Sequence, residues 1–208
     1  MTGSHSESGI PAHFFSRADE SPDENFYAAP RFVTHIDEAT ITSLTRFYRE
    51  FLPDGARVLD LMSSWISHLP PEKQFSRVSG LGMNAQELAA NPRLDDYCVH
   101  NLNRDPDLPY PPGEFDRVLI AVSVQYLIRP IEVMTSIHET LSDAGAVCIA
   151  MSHRLFPTKA VAAFQSISAE DRVRLVSHYL EAAGFSEIAC HDRSPPHADP
   201  LWLVVGWC

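Results

Sequence analysis

Glycine is scarce in this chain. Nine of its 208 residues are glycine, about 4% where roughly 7% is usual. None of them completes a P-loop or a G-x-G-x-x-G pattern, and no G-x-S-x-G elbow occurs. Phosphate cradles of the common kinds and the serine-hydrolase turn are thereby excluded. Basic residues are also few: 16 Lys and Arg face 27 Asp and Glu, a formal net charge of -11. That surplus repels phosphate backbones and anionic lipid, so neither nucleic acid nor a membrane surface is expected as a partner. No apolar run approaches the ~20 residues of a membrane helix. The four cysteines (Cys98, Cys148, Cys190, Cys208) show no C-x-x-C spacing, and the opening residues contain no apolar signal core. Reduced thiols in a cytoplasmic chain are the expectation. Cys98 and His100 alternate onto one strand face, but no third ligand has metal spacing, so no metal is expected.

Residues 1–25 are rich in Ser, Glu, Asp and Pro without sustained periodicity, which predicts a mobile N-terminal arm on which Phe14 and Phe15 are the residues able to dock. Residues 26–208 are expected to form a single domain. Ile41, Leu44, Tyr48 and Phe51 recur at helical spacing behind a capping Asp37, and Pro53-Asp54-Gly55 ends that helix. Short apolar runs follow at 57–61, 77–81, 97–100, 116–122 and 146–151. Helices with legible ends separate several of them. Asn84 with Glu87 suggests a capping box, Pro130 a first turn, and Ser168 and Gly184 the two ends of another helix. Continuous apolar strands interleaved with helices predict a mostly parallel sheet covered on both faces. Runs at 186–190 and 201–207 have no helix between them, which predicts an antiparallel strand at one edge.

In such a sheet, ligands bind beyond the carboxyl ends of the strands. That rule selects Met62 to His68 after the first strand and Gly82-Met83-Asn84 after the second. It selects Asn101-Leu102-Asn103 after the third, Ser123 to Tyr126 after the fourth, and Ser152 to Phe156 after the fifth.

Val58-Leu59-Asp60-Leu61, Leu108 to Asp116, Ser123-Val124-Gln125-Tyr126-Leu127 and Thr140 to Ala146 stand in a recognisable order. Over roughly residues 26 to 208 the chain resembles a class I S-adenosylmethionine-dependent methyltransferase of the small "type 11" kind. The resemblance implies a doubly wound α/β fold with strand order 3-2-1-4-5-7-6 and the last strand antiparallel. It implies S-adenosylmethionine as cofactor and methyl transfer to a small molecule. Two motifs depart from the family. The glycine-rich turn reads Met62-Ser63-Ser64-Trp65-Ile66, and Gly82 stands where an acidic residue receives the cofactor's ribose hydroxyls. Asp60, Ser63, Ser64, Trp65, Gly82, Met83, Asn84, Asn101, Leu102 and Ser123 are the implied cofactor contacts. Arg31, Gln125 and Arg154 are the implied substrate contacts, and His35, His68, Tyr126 and His153 the candidate catalytic residues. The segment Phe26 to His35 is expected to act as a lid, while His5, His13, His138, His178, His191 and His197 have no expected role. The two departures keep alternatives open: a catalytically silent binding or interaction protein on the same fold, or catalysis on another small ligand.

Overall fold

The computed structural model describes residues 9–208. Seven strands form one sheet in the order β3-β2-β1-β4-β5-β7-β6. They are β1 (Arg57–Leu61), β2 (Arg77–Gly82), β3 (Asp96–Val99), β4 (Phe115–Ala121), β5 (Leu141–Met151), β6 (Glu187–Asp192) and β7 (Trp202–Trp207). β1 to β5 run parallel, and β7 is antiparallel to both neighbours. The expected order is the observed one.

Among the described residues six α-helices accompany the sheet: α1 (Asp23–Tyr27), α2 (Glu38–Phe51), α3 (Ala85–Ala90), α4 (Pro130–Thr140), α5 (Ala162–Ser166) and α6 (Ala169–Ala182). Their ends follow the expected chemistry. Asp37 accepts from Thr40 N, Ser168 accepts from Asp171 N, and Gly184 takes a left-handed φ of 97° after α6. Val58 and Leu119 pack with Leu44, Phe47 and Tyr48 of α2. Leu59, Val118 and Ile120 face the other way, into a core with Met134, Ile137, Tyr179 and Leu180 of α4 and α6. Each such fully buried aliphatic side chain stabilises the fold by about 1.5–3 kcal/mol. Burial on both faces explains why these strands read as unbroken apolar runs.

Two expectations need correction. The sheet is expected to be covered on both faces, but β3 is an edge strand whose Tyr97 and Val99 are exposed; with one neighbouring strand, part of it is left in water. The second concerns the predicted arm. Residues 1–8, with His5, lie outside the described residues, but 9–25 lie against the body. Ile10 is buried in the main core with Phe14 and Phe15 packed against it, and Ser16 O accepts from Ala162 N at 2.8 Å. The physical reason is Lys159. This lysine is wholly buried, and its ammonium is neutralised by Asp19 at 3.1 Å and Asp23 at 3.3 Å, with Arg17 also on Asp23 at 2.7 Å. The acidic residues that read as a solvated tail are counter-ions for a buried cation. Among the described residues no helix is long and apolar enough to cross a membrane.

Candidate functional site

The carboxyl ends of β1 to β4 open into a cleft of about 1150 Å³, measured out to its open mouth, and the segment from Asp23 to Ile36 forms its roof. Its floor begins at the tip of β1. The Asp60 carboxylate is buried there and accepts the Ser63 hydroxyl at 2.6 Å. Ser67 also bonds to it and in turn receives the Asn91 amide at 2.8 Å. Burial pushes the Asp60 carboxyl up to about 6, against the lowering influence of the two serines.

The turn that follows contains no glycine, yet Met62 adopts a left-handed φ of 57°. Its backbone then leans onto β2, where Ser63 N donates to Leu81 O at 2.8 Å. A Cβ on Gly82 would overlap the Ser63 carbonyl oxygen and sit 3.2 Å from Leu88 Cδ2. The two motif departures are therefore one structural feature. The Ser63 carbonyl occupies the space that any side chain at position 82 would need, so this turn and a carboxylate ending β2 exclude each other. Gly82 shapes the cleft through its missing Cβ.

Strain recurs around the same cleft. Val122, a β-branched residue at the tip of β4, has φ 50°, and His68 has φ 53°. Each such conformation costs about 1–3 kcal/mol and persists only where the surroundings impose it. Beside Val122, the Ser123 hydroxyl is buried without a hydrogen-bond partner among the described residues, and so is His68 Nδ1. Burial, with a smaller contribution from His35, pulls the His68 imidazole down to about 4. Burial also lowers His35, with Arg31 lowering and Glu87 raising it. Both rings are neutral at pH 7.

Polar contacts tie the roof to the segments that follow β2 and β3. Asn84 caps α3 by accepting from Gln86 N and Glu87 N, and its amide donates to Tyr27 O at 2.9 Å and Ala28 O at 3.2 Å. Glu87 does not close a capping box. It accepts Arg31 N at 2.6 Å on one oxygen and the Ser64 hydroxyl at 2.7 Å on the other. Asn101 accepts Asn103 N and donates to Glu24 at 3.0 Å. Asn103 reaches Asp23 at 2.7 Å and Tyr126 O at 2.9 Å. Tyr126 stacks on Phe156 at 5.9 Å and accepts its N–H.

The structure thus brings Arg31, His35, Asp60, Ser63, Ser64, His68, Gly82 and Met83 to the cleft wall, with Asn84, Asn101, Leu102, Ser123 and Tyr126. Trp65, Gln125, His153 and Arg154 do not line it. The Trp65 indole donates to Val33 O at 3.0 Å and packs beside Phe32, so it pins the roof from outside. The buried Gln125 amide is spent on Val122 O and Arg154 O. His153 and Arg154 both turn to Asp199, at 3.0 and 2.9 Å. Asp199 is a buried acid that also accepts Asp37 N, so this cluster joins α2 to the segment before β7. Asp23, Glu87 and His100 line the cleft without having been selected in the sequence, and Tyr27 of the expected lid and Phe156 after the fifth strand line it too. Glu87 carried a signal, since the first turn of a helix after β2 faces the strand tips, but its capping spacing explained it locally. Asp23 sat in the presumed arm, where nothing local distinguishes it.

Comparison with solved structures gives the architecture a context. A methyltransferase dependent on S-adenosylmethionine, from Mesorhizobium loti, superposes with a TM-score of 0.59 over 80% of this chain and 98% of its own, at 16% identity. The fold is that of the class I S-adenosylmethionine-dependent methyltransferases. The 4+2 cyclase SpnF matches equally well, at TM-score 0.59 over 79% of each chain and 16% identity. A phosphoethanolamine N-methyltransferase from Haemonchus contortus, solved with S-adenosyl-L-methionine, matches at TM-score 0.58 and 13% identity, over 80% of this chain and 52% of its own. No family model and no curated protein matches the sequence. The likeness to methyltransferases is one of architecture, and what the cleft does rests on its own residues.

Proposed function

We propose that the protein is an S-adenosylmethionine-dependent methyltransferase acting on a small-molecule acceptor in the roofed cleft. The observation that carries this reading is the pair of unpartnered polar atoms, Ser123 Oγ and His68 Nδ1, buried in the cleft of a methyltransferase fold. A buried polar group without a partner costs about 1–3 kcal/mol. A bound ligand removes that cost.

The donor set fits the cofactor. Asp60 offers a carboxylate suited to the cofactor's ammonium, and the Ser63 and Ser64 hydroxyls, which donate to Asp60 and Glu87, hold those acids in place. Met83 and Leu102 give apolar wall suited to a purine, and Ser123 supplies a free hydroxyl. Glu87 is the acid available near the tip of β2, where Gly82 leaves none. Asn84 and Asn101 act by holding the roof, since their amides are committed to Tyr27, Ala28 and Glu24. When bound, S-adenosylmethionine supplies a methyl group on a sulfonium. The chain's share of the work is to align an acceptor, exclude water and receive the acceptor's proton. Neutral His35, edge-on to Phe156 at 5.5 Å, is placed for that last task. A roofed cleft within a single small domain suits a small acceptor.

Calorimetric titration with S-adenosylmethionine and S-adenosylhomocysteine tests this. One-to-one binding with Kd about 1–100 μM is expected, weakened at least tenfold by Asp60→Ala. Absence of binding by both compounds at millimolar concentration overturns the proposal.

A further inference from the structure

Among the described residues, no acid neutralises Arg31, the one Lys or Arg of the roof. Arg17 and Lys159 are spent on Asp19, Asp23 and Glu20, and Arg104 on Glu24. Arg31 lines the cleft, yet among the described residues its guanidinium makes no ion pair. Its side-chain hydrogen bonds go only to backbone carbonyls, Phe26 O at 2.8 Å and Ala29 O at 3.4 Å. Glu87 accepts the backbone N–H of Arg31 and the Ser64 hydroxyl, and makes no ion pair with the guanidinium.

The guanidinium is nonetheless held in place. Its central carbon lies 4.3 Å from the Phe26 ring centroid and 5.6 Å from that of Phe156. Stacking uses the face of the group and leaves edge N–H donors for a ligand. Phe156 is also the hub of an aromatic wall, contacting Phe26 at 5.3 Å, His35 at 5.5 Å and Tyr126 at 5.9 Å. An unpaired planar cation beside a flat apolar wall matches a flat molecule bearing one carboxylate. The acids Asp23, Asp60 and Glu87 in the same cleft disfavour a more highly charged anion such as a phosphate.

We propose that Arg31 anchors a carboxylate of the methyl acceptor, and that the acceptors are planar, aromatic or conjugated, carboxylic acids. The inference rests on the methyltransferase reading for the word acceptor; the carboxylate site itself does not. In it the carboxylate is the handle, and the ring lies along Phe156 and Tyr126.

The test compares 2-naphthoate with its neutral isostere 2-naphthamide by calorimetry, on the full chain saturated with S-adenosylhomocysteine. The naphthoate is expected to bind at least tenfold tighter. Arg31→Gln abolishes that preference and Arg31→Lys retains part of it. Equal affinity for the two probes in the unsubstituted protein overturns the proposal, and this arm requires no variant to fold. A further arm separates the cofactor as the source of the carboxylate. If Arg31→Gln weakens S-adenosylhomocysteine tenfold while leaving methylthioadenosine unchanged, Arg31 serves the cofactor's amino-acid end and the acceptor assignment falls. If S-adenosylhomocysteine does not bind but the naphthoate preference persists and depends on Arg31, the methyltransferase reading fails and the carboxylate site stands.

Discussion

The floor and the roof of the cleft are built on different physical principles. The floor is fixed by covalent geometry and close packing: Met62 and Val122 in left-handed backbone, and the Ser63 carbonyl laid onto Gly82 with no room for a methyl group. Such a surface deforms only at the cost of the core beneath it. The roof is fixed by polar contacts between distant segments: Asn84 to Tyr27 O, Asn101 to Glu24, Glu87 to Arg31 N, and Lys159 to Asp19 and Asp23. Water can replace most of these one at a time. The difference teaches that the floor is the rigid half of the proposed site, while the roof, held by contacts that water can replace, is the half expected to open.

Breaking the buried ion-pair cluster that anchors the roof has the largest expected effect. Lys159→Ala leaves Asp19 and Asp23 short of a counter-ion, and loss of one partner of a buried ion pair costs about 3–5 kcal/mol. At roughly 2–4 °C per kcal/mol for a chain of this length, the melting temperature falls by about 10 °C. Limited proteolysis then cuts first between residues 17 and 36; an unchanged cleavage pattern would show that the roof does not depend on this cluster. On the floor, Gly82→Ala forces a methyl group into the Ser63 carbonyl and costs about 3 kcal/mol, read by denaturant unfolding. An unchanged unfolding midpoint would mean the turn moves freely.

Asp60→Asn sharpens the contrast through pH. The folded carboxyl of Asp60 is raised to about 6 from 3.8, so its contribution to stability is full below pH 3.8 and is lost as pH rises through about 6. The neutral amide avoids that loss. The variant is therefore expected to be about 1–3 kcal/mol more stable than the parent at pH 8, with the advantage vanishing by pH 4. His68 works in the opposite sense. Lowered to about 4 from 6.5, it stabilises the fold above pH 6.5 and loses that contribution as pH falls through about 4. The smallest effect belongs to Met62→Gly. Relief of a left-handed backbone offsets the loss of a half-buried side chain, and the net change stays within about 1 kcal/mol. A large destabilisation would mean that the Met62 side chain, more than its backbone, supports the floor.

The floor was far more legible in the sequence than the roof. Strand tips follow from buried apolar runs and capping residues, which are local signals, and the glycine-free stretch at 62–66 marked where this chain differs. The exclusion between Ser63 and a side chain at 82 was not legible, because it depends on how a turn leans across a neighbouring strand. Nor was the roof. Lys159 meets Asp19 across 140 positions of sequence, and an acidic, proline-containing segment reads alike whether it is solvated or clamped to a buried cation. Trp65, Gln125, His153 and Arg154 show a further limit. Position after a strand tip is readable, but the direction of a side chain is decided by partners such as Val33 O and Asp199.

Hydrogen exchange with and without S-adenosylhomocysteine tests the two-part site most directly. Ligand is expected to slow exchange at the floor, over residues 60–68, 82–87 and 121–126, and most strongly in the roof over residues 23–36, whose polar ties open most readily without it. Slowed exchange confined to residues away from these segments, or none at saturating ligand, would contradict a site made of this floor and this roof.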